Sequence, residues 1–100
     1  MRNYKIIKIE IDESGRLLIT PESERFTMIY KSASEVHWDF EKNSLYSPKP
    51  REWTYLDWFK NILSVVEIDY NCKLIINDLT EFINLPESLE TEIKELNRYH

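Results

Sequence analysis

Residues 4–20 read Tyr-Lys-Ile-Ile-Lys-Ile-Glu-Ile-Asp-Glu-Ser-Gly-Arg-Leu-Leu-Ile-Thr. Ile7, Ile9 and Ile11 fall on one face, and Lys8 and Glu10 on the other. That period of two predicts a half-buried strand. Gly15, the only glycine in the chain, stands at the end of the following turn, where a positive φ is expected and other residues are strained. Arg16 to Thr20 is the return strand. A hairpin here begins an antiparallel sheet, so the rest of the chain must cover one of its faces.

Working outward, Pro21 closes the return strand. In residues 22–34, Phe26, Ile29, Tyr30 and Ala33 have helical spacing, although residues 26–30 also read as a strand; the helix is the favoured reading. Val36 to Phe40 alternates again, with Trp38 and Phe40 on one face and His37 and Asp39 on the other. Glu41 to Asn43 turns, and Ser44 to Ser47 completes a second hairpin. Pro48-Lys49-Pro50-Arg51 is an extended connector, because proline lacks the donor and restricts its predecessor.

Thr54 then reads as a helix N-cap, with Asp57 favouring the helix start. From Tyr55 to Tyr70 the apolar residues cover about half of the helix circumference, with Phe59 and Leu63 mid-stripe. Asn71 caps its end, and Lys73 to Ile76 is a short strand. Residues 78–84 fit neither period, with Phe82 and Ile83 as anchors. A last helix begins at Leu85-Pro86 and carries Leu89, Ile93 and Leu96 as a narrow stripe. The expected architecture is α+β: one domain over residues 1–100, its antiparallel sheet built from two hairpins plus a short strand, packed on a central helix and a C-terminal helix.

Composition closes off several classes. The 100 residues are 42% hydrophobic and 13% aromatic, too apolar for a disordered chain. A single glycine excludes a glycine-rich phosphate loop. A lone cysteine, Cys72, excludes an internal disulfide and a cysteine-built zinc site, and points to a reducing cytoplasm. No stretch approaches the 18 or so apolar residues of a membrane span, and residues 1–5 lack the pattern of a signal peptide. Eighteen acidic against thirteen basic residues give a net charge of −5, which argues against nucleic acid as a partner. No cofactor motif is present, and no cofactor, metal site or catalytic group is expected. Cys72 has no visible base and reads as a small core residue.

Three features remain as binding candidates. Residues 38–59 hold seven of the thirteen aromatics and all three tryptophans. Most of these read as core, but Trp53 and Tyr55, between the connector and the helix stripe, are candidate contact residues. Lys49 and Arg51 beside them suit an anion or an acidic partner, against the simpler reading of a solvated loop with Arg51 on Trp53. His37 and Asp39 share a face, as a base held by a carboxylate would, against the simpler reading of polar residues on a hairpin. The charge is also localised. Asp78 to Glu95 contains six acids and one base, the whole net charge, and an acidic C-terminal third suits a basic partner.

The hairpin-rich start, the segment Ser47-Pro-Lys-Pro-Arg-Glu-Trp53 and the aromatic helix resemble small orphan α+β proteins carried on bacterial mobile gene cassettes. The resemblance implies a compact accessory protein, often self-associating, and carries no catalytic residue across. The sequence reading is therefore a cytoplasmic, non-catalytic interaction protein, of which the immunity and antitoxin proteins are the expected sort. It would use the connector and the acidic third against a protein partner or, as a homodimer, against itself. The alternative is a ligand-binding or enzymatic domain with a pocket between sheet and central helix, lined by Trp53, Tyr55, His37 and Asp39.

Overall fold

The structure, a computed structural model, describes residues 2–31 and 35–96. Strand β1 (Arg2–Ile11) is the spine of the sheet. It pairs antiparallel with β2 (Leu17–Pro21) through a turn organised by Asp12. The Asp12 carboxylate accepts hydrogen bonds from the backbone N–H groups of Ser14 and Arg16, at 3.0 and 2.9 Å. Gly15 sits at φ +84°, in the region that its position in the sequence demands. The second hairpin joins β3 (His37–Asp39) to β4 (Ser44–Ser47), and β4 pairs with β2.

Helix α1 (Tyr55–Tyr70) follows the connector. Asn71 ends it in the left-handed conformation at φ 53°, which asparagine tolerates better than most residues. The chain then forms β5 (Cys72–Ile75) and β6 (Glu81–Ile83), which both lie beside β1, and ends in helix α2 (Glu87–Leu96). The fold is α+β, and the sheet is mixed. β5 and β6 run parallel to β1, because the 16-residue α1 carries the chain back before β5 begins, the geometry of a crossover connection.

One core fills the space between the sheet and the helices. Ile6, Ile9, Leu17, Ile19, Trp38, Leu45 and Leu74 from the strands meet Trp58, Phe59, Ile62 and Val66 from α1 and Leu89 and Ile93 from α2. Each of the larger side chains contributes about 1.5–3 kcal/mol by leaving water.

Several expectations are corrected. β1 carries a register shift between Ile6 and Lys8, a bulge that reverses which side chains face inward. Ile6 and Ile9 are buried while Ile7 is 46% exposed, so the continuous Ile7-Ile9-Ile11 face does not exist. Residues 22–31 form neither a helix nor a strand but bends and one 3-10 turn (Ile29–Lys31). Phe26 and Ile29 are buried there and Tyr30 is exposed; Ala33 lies outside the described residues. Phe40 is 65% exposed rather than in the core, because β3 stops at Asp39. That carboxylate accepts from the backbone N–H groups of Glu41 and Lys42, both at 2.9 Å, and starts the turn one residue early. Leu63 is only half-buried, and Leu96 is exposed.

Candidate functional site

The start of α1 is fixed from three sides. The Thr54 hydroxyl accepts from the Asp57 N–H at 3.1 Å, and the Asp57 carboxylate accepts from the Thr54 N–H at 3.0 Å, a reciprocal cap. The Tyr55 hydroxyl donates to the carbonyl of Gly15 at 2.9 Å, tying the helix to the β1–β2 turn. Burial, and secondarily the charge of Asp12, pushes the Tyr55 phenol up. The aliphatic stem of Lys49 lies against Gly15, so the connector is anchored to that same turn.

These anchors leave an open cleft of about 390 Å³ between the connector and the first turns of α1. Trp58 is buried and lines it, and Trp53 stacks on Trp58 with ring centroids 4.9 Å apart at 53°. Trp53 itself is 48% exposed, against 6% for Trp38 and 8% for Trp58. Lys49 and Arg51 line the cleft with Pro48 and Asn61. Neither cation has an ion pair or a side-chain hydrogen bond among the described residues. Glu35 and Glu52 also line it. An aromatic pair with charges of both signs around it matches the composition of a protein-binding surface: a large anchor at the centre and polar groups that exclude water around it.

Of the six residues expected to bind, the structure brings Lys49, Arg51 and Trp53 together. Tyr55 is turned to Gly15 and does not line the cleft. His37 and Asp39 lie on the opposite face of β3 from the buried Trp38. The pocket combining Trp53, Tyr55, His37 and Asp39 therefore does not form, because strand alternation turns the last two away from the core. Trp58 and Asn61, neither of them among those six, both reach the cleft from α1. They are three residues apart, and that spacing is the signal that places them on one helical face.

His37 and Asp39 belong to a separate cluster centred on Arg16. The Arg16 guanidinium donates to Asp12 at 2.7 Å and to Asp39 at 3.2 Å, and lies over the Tyr46 ring at 4.4 Å. The His37 ring packs beside that of Tyr46, its cross-strand partner, with centroids 5.3 Å apart. Burial pushes the Asp12 carboxyl up, but hydrogen bonds from the Arg16 side chain and backbone outweigh it and hold the group below its ordinary value. Asp39 is also held low, first by the Lys42 N–H against some burial, then by Arg16. A depressed carboxyl contributes stability that is complete above its unfolded value and is lost as pH falls through the folded one. The melting midpoint is expected to drop as pH falls below about 4, and Arg16→Ala to flatten that drop while lowering the midpoint at neutral pH. An unchanged acid profile in Arg16→Ala contradicts this assignment.

Cys72 is buried, and burial is the main cause that pushes its thiol up, the opposite of an activated nucleophile. Among the described residues no group of three or more His, Cys, Asp or Glu is placed to hold a metal ion, and no helix is long and apolar enough to cross a membrane.

Comparison with known proteins places the chain. The family model described as "Integron Cassette Protein Hfx_Cass5" matches residues 3–80. That span includes β1 from its second residue, β2 to β5, all of α1 and the whole connector. None of the curated proteins matches. A solved structure described as integron cassette protein Hfx_Cass5, from the mobile metagenome of the North West Arm sewage outfall, is 34% identical to the chain. The alignment covers 99% of each chain with a TM-score of 0.50. With the family model over most of its length and this identity across nearly all of it, the chain belongs to the Hfx_Cass5 family of integron cassette proteins.

Proposed function

We propose that this chain is a non-catalytic interaction protein whose contact surface is the connector cleft. The observation that carries the reading is Trp53, half exposed and stacked on the buried Trp58 beside two unpaired cations. Tryptophan and arginine are enriched among the residues that dominate interface energetics: the indole buries a large area with few frozen bonds, and the guanidinium offers five donors in a planar fork. The acidic segment from Asp78 to Glu95 is a second contact region and steers partners by charge. A small cassette-borne binder of this kind suits an immunity- or antitoxin-like role in the cytoplasm, where its single thiol stays reduced.

The test is comparative capture from a cassette-bearing bacterial host. Immobilised wild type and Trp53→Ala/Arg51→Ala protein are exposed to the same lysate, and the retained proteins are identified by mass spectrometry. The reading expects a protein retained by wild type at least about tenfold more than by the variant, with both baits melting at the same temperature. Identical retained sets contradict it.

A further inference from the structure

The lining of the connector cleft is balanced in charge. Lys49 and Arg51 stand against Glu35 and Glu52, and none of the four has an ion pair among the described residues. A strongly charged occupant meets repulsion as well as attraction there. The two cations offer donors, the two carboxylates offer acceptors, and the Asn61 amide offers both. Such a lining suits an uncharged occupant that carries donors and acceptors together. Among these groups stands Trp53, half exposed, with its ring against Trp58.

Trp58 adds an independent demand. It is 8% exposed and lines the cleft, yet its indole N–H is buried without a hydrogen-bond partner among the described residues. A donor buried unpaired is costly, and nearly all such groups find an acceptor. The N–H is closed to solvent in the free chain, so an incoming acceptor reaches it after a side-chain shift of the kind common on binding. The wall facing it is stiff. Pro48 and Pro50 fix the backbone of the connector, and the Lys49 stem holds it against Gly15.

We propose that the occupant of the cleft is an extended, uncharged, proline-containing segment of the partner protein, in the polyproline II conformation. This rests on the cleft being a contact surface, as proposed above, and names what enters it. Such a segment makes no internal hydrogen bonds, so a carbonyl stands free about every 3.1 Å. These carbonyls accept from Lys49, Arg51 and the Trp58 N–H, and the remaining amide N–H groups donate to Glu35 and Glu52. The proline rings lie on the Trp53 indole, the mode in which aromatic-lined grooves take proline-rich peptides. Connector and segment are both stiff before they meet, so little freedom is lost on binding. A neutral segment without proline lacks the ring and loses more freedom when ordered.

The experiment is calorimetric titration of the protein with end-blocked nonapeptides. The probe is a Pro-Pro-Ala repeat; the comparisons are Gly-Ser-Ala, Pro-Pro-Lys and Pro-Pro-Glu repeats of the same length. Pro-Pro-Ala is expected to bind at least about tenfold more tightly than Gly-Ser-Ala, and neither charged peptide is expected to exceed it. Trp53→Ala is expected to weaken Pro-Pro-Ala binding by at least about tenfold. Trp58→Phe, which keeps a ring and removes the N–H, is expected to weaken it about threefold or more. Melting midpoints well above the titration temperature establish that both variants are folded. The proposal is overturned by a Pro-Pro-Ala peptide that binds no better than Gly-Ser-Ala, or by binding indifferent to either substitution. A charged peptide that binds about tenfold more tightly than Pro-Pro-Ala also overturns it, and assigns the cleft to a charged segment. Peptides that fail to bind, while capture from lysate still depends on Trp53 and Arg51, overturn the proline assignment alone and leave the contact surface standing.

Discussion

Phe59→Ala is expected to destabilise the protein by about 3–5 kcal/mol. Phe59 is fully buried and sits where α1 meets the sheet, so truncation leaves a cavity that surrounding β strands are too constrained to fill. A domain of this size has about 5–15 kcal/mol in total, and the variant is expected to be marginal at physiological temperature. Leu63→Ala, one turn on, is expected to cost less, about 1–2 kcal/mol, because Leu63 is only half-buried. Urea unfolding of both variants checks the ranking. Equal losses, or a loss under about 1 kcal/mol for Phe59→Ala, contradict the placement of α1.

Gly15→Val is expected to cost about 2–3 kcal/mol. Two effects combine. The residue sits at φ +84°, where a β-branched side chain is strained. A Cβ there would also lie 2.9 Å from Cγ of Lys49, an atom low on the stem rather than at its free end. Gly15→Asn, which tolerates the left-handed region, is expected to lose clearly less. The consequence reaches the cleft, since Gly15 holds both Lys49 and the Tyr55 hydroxyl. The valine variant is therefore expected to weaken partner retention beyond what its remaining folded fraction explains. Melting midpoints for the two variants, and capture measured well below them, separate the effects. Equal losses for Val and Asn place the strain elsewhere.

The elements that the sequence made legible are those with a local cause. The first hairpin follows from alternation and one glycine. The central helix follows from a 16-residue stripe between Thr54 and Asn71, and both caps are present in the structure. What was not legible depends on neighbours distant in the chain. The bulge that turns Ile7 outward is set by pairing with Pro21 and Thr20. β6 is a strand because β1 offers it a partner, while Phe82 and Ile83 alone satisfy no period. Parallel pairing of β5 is a property of the crossover and leaves no mark on Lys73 to Ile76. At the site, Lys49, Arg51 and Trp53 are adjacent in sequence and were found together. Trp58 and Asn61 join them only because the connector folds back across the first turns of α1. His37 and Asp39 share a face as expected, but which face looks outward was decided by Trp38 entering the core.

The proposed function depends on the connector cleft being the surface that a partner covers. Trp53 reports on it directly, because it is the one tryptophan of the three that water reaches freely. The decisive measurement is acrylamide quenching of tryptophan fluorescence, in dilute free protein and again with the captured partner bound, with Trp53→Phe as the control. The predicted result is a quenchable component in the free protein that Trp53→Phe changes and that binding removes. A quenchable component that persists unchanged on saturation with the partner would contradict the claim that the cleft is the contact surface.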